Sequence, residues 1–153
     1  MLTDKEILKI ANDTYNDFSV DFLIECKFEC VSIKKYIDLA KKTPLIQIYI
    51  EQKLYDSIKN VTVPAIVVPG EVEKIYFCKN IVNKIVKKLS KEKQKMFVRA
   101  IVLHELYHIV NRSEERDVNS YSFMKSERRA HQEFKEDYPD LYKVLEEAKK
   151  KFT

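Results

Sequence analysis

The segment AIVLHELYHIV, residues 100–110, constrains the fold of this 153-residue chain more than any other stretch. Within it, His104, Glu105 and His108 form an H-E-x-x-H motif that has apolar residues on both sides. On a helix, His104 and His108 lie on one face, and Glu105 lies about 100° further round the axis. The two imidazoles can then bind one metal ion, and the carboxylate can take a proton from a water molecule. The segment is therefore predicted to be a buried helix that carries a metal site.

A catalytic zinc ion normally has three protein ligands, so a third ligand is expected elsewhere in the chain. The segment SFMKSERRAHQEF, residues 122–134, has apolar residues at helical spacing, and Glu127 is the single carboxylate on that face. His131, the last of the three histidines, follows Glu127 by one helical turn on the same side. The histidines are thus clustered between positions 104 and 131, which predicts two helices that share one site.

The motifs HELYH at 104–108 and ERRAH at 127–131 resemble those of the gluzincin clan of zinc metallopeptidases. The chain is also similar to the small intracellular ImmA/IrrE-like members, and the resemblance covers about residues 61–138. It implies a zincin-like α+β domain in which His104, His108 and Glu127 bind one zinc ion. It further implies that Glu105 is the general base in the hydrolysis of a protein or peptide substrate.

The resemblance leaves the role of His131 open, because the clan usually has Asp or Asn at that position. His131 is interpreted as a catalytic residue, which orients a ligand imidazole or donates to the developing oxyanion. Replacement of Glu127 on the metal is the alternative. Tyr121 and Tyr138 are further candidate donors to the oxyanion, whereas Tyr107 is expected to pack in the core.

Two other ligand sets have weaker support. A metzincin-type third ligand would fall at Glu114, but Glu114 is not a histidine, and Asn111 replaces the glycine of the sharp turn. Asn can adopt the left-handed conformation, so Glu114 stays a minor candidate. Cys26 and Cys30 are interpreted as packed thiols, because no second pair of cysteines completes a site.

Length and composition favour a single domain over residues 1–153, with an N-terminal part of uncertain role at 1–60. The metallopeptidase core is predicted at 61–138 and a last helix at 139–153. An apolar content of 45% is sufficient for a hydrophobic core. The sequence has no apolar run of membrane-spanning length and no signal-peptide pattern, and its three cysteines are an odd number. A cytoplasmic protein without a membrane partner is therefore expected.

Periodicity predicts helices at 4–16 and 33–42, from 80 to 89, from Ser90 to Asn111, around Glu127 up to Pro139, and at 140–152. Thr3 or Asp4 is expected to cap the first helix, Asn80 the third and Ser90 the helix that carries the motif. Strands are predicted at 61–68 and 74–78, joined by a turn at 69–70. Residues 18–31 fit a strand, a helix or both, and 45–50 fit a strand unless 46–57 is helical. By the resemblance, residues 75–77 are candidate cleft residues, and hairpin core is the alternative.

Residues 74–99 contain nine basic residues and one acidic residue, Glu92. This local charge raises an alternative function, a non-catalytic regulatory or nucleic-acid-binding module that is stabilised by metal and contacts phosphates. The lysines alternate with apolar residues at helical spacing, so a solvated helix face explains them more simply. No glycine-rich phosphate loop or RNA-binding aromatic motif accompanies them. A zinc metallopeptidase is therefore the favoured prediction.

Overall fold

The computed structural model describes residues 1–22, 25–42, 64–68, 72–113 and 120–152, without the side chains of 19–22, 41, 42, 112, 113, 120–124, 126, 127 and 152. Within these ranges, six helices and one three-stranded sheet form a mixed α+β fold that is mostly helical. The helices are α1 (Asp4–Phe22), α2 (Ile33–Lys42), α3 (Lys79–Val86), α4 (Lys91–Ser113), α5 (Ser120–Asp137) and α6 (Pro139–Phe152). The strands are β1 (Cys26–Cys30), β2 (Ile66–Val68) and β3 (Glu73–Phe77). The predicted α+β class is confirmed at this level.

Helix α4 lies at the centre of the fold and carries the H-E-x-x-H motif. It packs against α1, α5 and α6, so apolar side chains on several of its sides are buried. A helix that is apolar on several sides is stable only when other elements surround it. The backbone N–H of Lys93 donates to Ser90 Oγ at 3.3 Å, which confirms the predicted cap. None of the helices in the described ranges has both the length and the apolar composition that a bilayer crossing requires.

The sheet has the order β1-β3-β2, with β3 in the middle. Strand β2 pairs antiparallel to β3, as expected for a hairpin, and β1 pairs parallel to β3. Residues 18–31 therefore contain both the end of a helix and a strand, one of the options that the sequence left open. Ile75, Tyr76 and Phe77 are all buried, which fits the core alternative rather than an open cleft. The predictions for residues 45–57, for residues 61–63 of the first strand and for the turn at 69–70 fall outside the described residues.

Helix α1 begins with a reciprocal pair of capping hydrogen bonds. The Glu6 N–H donates to Thr3 Oγ1 at 3.1 Å, and the Thr3 N–H donates to Glu6 Oε1 at 3.2 Å. Thr3 is therefore the cap. The helix continues beyond its predicted end at residue 16, and there the Phe18 ring packs edge-on against Tyr138 with centroids 4.9 Å apart.

The prediction that Asn80 caps the third helix is wrong. Helix α3 begins at Lys79, and the preceding residue, Cys78, makes no side-chain capping bond. A backbone hydrogen bond closes the first turn instead, in which the N–H of Val82 donates to the Cys78 carbonyl at 3.0 Å. Strand β3 thus continues almost directly into α3.

Candidate metal centre

The three histidines of the chain lie together where α4 packs against α5. Nε2 of His104 lies 3.0 Å from Nε2 of His108 and 2.9 Å from Nε2 of His131. One potential ligand atom from each residue lies within 4.8 Å of the other two. The helical spacing brings His104 and His108 onto one face, as expected, and α5 supplies the third imidazole.

The surroundings of the three rings are partly apolar and partly accessible. His108 is 7% exposed, and the fully buried Phe134 lies edge-on to His104 with ring centroids 6.1 Å apart. The side chains of His104 and Glu105 are 19% and 16% exposed. The cluster is therefore partly accessible to solvent, and the Phe134 ring packs against it.

Glu105 lies beside the first histidine of the motif. Its Oε1 is 3.6 Å from Nδ1 of His104, slightly beyond hydrogen-bond length. That Nδ1 is buried and has no hydrogen-bond partner among the described residues. The carboxylate is therefore adjacent to the ring whose other nitrogen faces His108 and His131.

The donor set fits a zinc ion. Imidazole nitrogen is a preferred zinc ligand, with Zn–N distances of 2.0–2.1 Å. A tetrahedral ion with such bonds spaces its nitrogen ligands by about 3.3 Å, a few tenths of an ångström more than the 2.9 and 3.0 Å between these Nε2 atoms. All three potential ligand atoms lie within 4.8 Å of one another, so the rings would have to shift to place one ion between them.

Tyr107 holds α5 against α4. Its hydroxyl donates to Asp137 Oδ2 at 2.5 Å, and its ring packs edge-on against Phe134, with centroids 6.0 Å apart. Burial raises the pKa of Tyr107 far above its ordinary value, and the bond to Asp137 raises it further, so the hydroxyl remains a donor. Ala130 is fully buried next to His131, one helical turn before Phe134, whose ring contacts Tyr107 and His104 on α4. The prediction that Tyr107 packs in the core is confirmed.

Tyr36 on α2 is a neighbour of the site that the sequence patterns did not single out. It is 1% exposed, and burial raises its pKa well above the ordinary value. The negative charge of Glu105 raises the pKa of Tyr36 further, so the phenol lies within electrostatic reach of the Glu105 carboxylate. Helical spacing indicated only a core position for Tyr36, because no local pattern connects it with Glu105.

Several predicted site residues cannot be compared with the structure. Glu127 lies on α5 one helical turn before His131, but its side chain is outside the described residues, as is that of Tyr121. Glu114 is outside them entirely. The roles assigned to these three residues stay predictions. Tyr138 packs with the aromatic side chains described above.

Cys26 and Cys30 have the properties of packed thiols. Both are free, and burial raises the pKa of each to about 12. A thiol must lose its proton to bind a metal ion, so these raised pKa values disfavour a metal site here.

The basic segment 74–99 is partly neutralised within the fold. Lys91 pairs with Glu6 at 3.1 Å and Lys93 with Glu147 at 2.9 Å. Exposed lysines that have no salt bridge within the described ranges remain on and near α3, namely Lys79, Lys84, Lys87 and Lys88. This arrangement is the solvated helix face that the spacing favoured.

No protein-family model matches the chain, and no curated protein and no solved structure shows significant similarity to it. The chemistry of the site itself therefore has to indicate the function of this protein.

Proposed function

We propose that this protein is a zinc-dependent metallopeptidase with a zincin-like fold, in which Glu105 is the general base. The main support is the position of Nε2 of His104, which lies 3.0 Å from Nε2 of His108 and 2.9 Å from Nε2 of His131 on the second helix, with the Glu105 carboxylate beside the ring. His104 and His108 would hold the metal together with a third ligand from α5, for which the resemblance implies Glu127. Three protein ligands leave the fourth position for water, whereas structural zinc sites usually fill all four.

A zinc ion bound here would polarise the scissile carbonyl and lower the pKa of a water molecule. Glu105 takes a proton from the water as its oxygen adds to the carbonyl carbon. The same carboxylate then gives that proton to the leaving nitrogen as the C–N bond breaks. Partial burial keeps Glu105 beside His104 and limits competition from solvent.

Metal analysis and one variant test this proposal together. Protein purified without added metal is expected to contain about one zinc ion per chain. It should hydrolyse fluorogenic peptides from a mixed library, lose the activity in a chelator and regain it with zinc. Glu105→Gln should keep the metal but lose about 100-fold or more in turnover, because it cannot accept the proton. Glu92→Gln, at an exposed position in the first turn of the same helix, is the matched control.

Two outcomes would count against the proposal. Absence of zinc after purification, together with no binding on titration, would remove it. Zinc binding without Glu105-dependent hydrolysis would favour the non-catalytic alternative. Salt-sensitive binding to short DNA or RNA that is lost when Lys84, Lys87 and Lys88 are neutralised would then identify the nucleic-acid function.

A further inference from the structure

We infer that His131 is the third protein ligand of the metal, so that the site consists of three imidazoles from α4 and α5. The inference rests on the proposed function for the identity of the ion, and it selects the metal-ligand role from the roles that the sequence left open for His131. Nε2 of His131 lies 2.9 Å from Nε2 of His104. This separation is as short as the 3.0 Å between the two histidines of the H-E-x-x-H motif.

Hydrogen bonding alone does not satisfy this arrangement. A neutral imidazole has one N–H and one acceptor nitrogen, so each Nε2 carries either a proton or a lone pair. Nε2 of His104 contacts the Nε2 atoms of both His108 and His131. This nitrogen can form one well-directed hydrogen bond, with either His108 or His131. Its contact with the other ring must share the same proton or lone pair. A divalent cation accepts one lone pair from each ring at once.

The environment of His104 favours the tautomer that this site requires. For Nε2 to bind a metal, the proton of the neutral ring must be on Nδ1. Nδ1 is buried without a hydrogen-bond partner in the described part of the chain, and Glu105 Oε1 lies 3.6 Å away. The negative charge of the carboxylate favours a proton on that nitrogen, which leaves the lone pair on Nε2.

The position of His131 is fixed by its neighbours on α5. Ala130 and Phe134 are both fully buried against the core. Further along the helix, the Asp137 carboxylate accepts a hydrogen bond from the Tyr107 hydroxyl. His131 is therefore presented to α4 by a helix that is anchored on either side of it. A metal ion bound by His131 would link α4 to α5, and it should stabilise the native state in proportion to its affinity.

Zinc affinities measured by competition with a chromophoric chelator test the assignment. His131→Gln and His104→Gln should each lose affinity by more than about 100-fold, the upper limit for residues that only support a ligand. Glu127→Gln should stay within about tenfold of the wild type. Gln132→Ala is the matched control, because Gln132 is next to His131 but exposed. In cobalt-substituted protein, the visible bands should change in His131→Gln and not in Gln132→Ala.

Thermal unfolding in a chelator separates metal binding from folding. Without metal, His131→Gln should unfold at the midpoint of the wild-type protein, and only the wild type and Gln132→Ala should gain stability from zinc. The same unfolding measurements are made on His131→Asn, a second replacement of this histidine.

Retention of wild-type affinity in both His131 variants, with loss of affinity in Glu127→Gln, would overturn the inference and leave the peptidase proposal intact. If the His131 variants lose zinc affinity and the protein shows no Glu105-dependent turnover, the three-histidine site would be supported and the peptidase proposal refuted.

Discussion

Tyr107 forms a polar bond between α4 and the end of α5 within an otherwise aromatic contact. Its hydroxyl donates to the Asp137 carboxylate at 2.5 Å, and a bond to an ionised acceptor is stronger than a neutral one. Tyr107→Phe is therefore expected to lower the free energy of unfolding by about 1–3 kcal/mol. It should also weaken zinc binding, because α5 loses an anchor six residues beyond His131. Urea unfolding and chelator competition measure the two effects.

A double-mutant cycle controls this prediction. In the Asp137→Asn background, Tyr107→Phe should cost less than it does alone, because the partner charge is already gone. Asp140→Asn, at an exposed position in the first turn of α6, should change neither stability nor zinc affinity. Strictly additive effects of Tyr107→Phe and Asp137→Asn would mean that the two groups do not interact.

The pair His104 and His108 could be predicted from sequence because helical geometry alone puts residues four apart on one face. The role of His131 could not, since it depends on how α5 packs on α4 and on the rotamers of both rings. The proximity of Tyr36 to Glu105 is non-local in the same way, and a single sequence carries no signal for it. The sequence thus indicated that all three histidines share one site, and tertiary packing determines how the His131 ring meets the other two.

Ala130 lies one helical turn before Phe134, on the face of α5 that packs against α4. This residue is fully buried immediately before His131. Ala130→Leu adds carbon atoms to a packed contact, so it should separate the helices and cost about 1–3 kcal/mol of stability. The shift should also move His131 away from His104, which predicts a loss of zinc affinity measurable by chelator competition.

Gln132→Leu is the matched control for Ala130→Leu, because it places the same side chain at an exposed position on the same helix. It should leave zinc affinity unchanged. If Ala130→Leu lowered stability while zinc affinity stayed at the wild-type value, the separation of α4 and α5 would not control the site.

Local signals and non-local pairing explain which elements could be predicted. Helix α2 has the predicted bounds, and the Thr3 and Ser90 caps are confirmed, since caps depend on residues three positions apart. The parallel pairing of β1 with β3 depends on segments more than 40 residues apart, so the pattern at 18–31 allowed both a helix and a strand. Asn80 failed as a cap because the strand continues almost directly into α3.

Contacts between distant parts of the chain hold the N-terminus and the last helix to the centre of the fold. The Leu2 N–H donates to Asn83 Oδ1 at 2.8 Å, and Asn83 Nδ2 donates back to the Leu2 carbonyl at 2.8 Å. Glu6 pairs with Lys91, which ties α1 to α4. Glu147 pairs with Lys93, which ties α6 to α4. Charged pairs thus link both α1 and α6 to the central helix α4.

These charged pairs predict how stability depends on pH. A hydrogen bond from Lys93, followed by one from Lys151, lowers the pKa of Glu147 below its usual 4.5. A hydrogen bond from Lys91 has the same effect on the pKa of Glu6. Because these pKa values are depressed in the folded state, both contributions are complete above pH 4.5 and are lost as the pH falls through the lowered values.

The double variant Glu6→Gln/Glu147→Gln tests this dependence, and glutamine at position 6 retains the capping bonds while removing the charge. Its urea midpoint should lie below that of the wild type at neutral pH and converge with it as the solution is acidified to roughly pH 3. Added salt should narrow the neutral-pH difference, because both pairs are at the surface. Glu92→Gln, which removes an exposed carboxylate at the start of α4, should follow the wild-type curve throughout. A difference that persisted in acid would mean that the two carboxylates act through packing, since their charge is absent there.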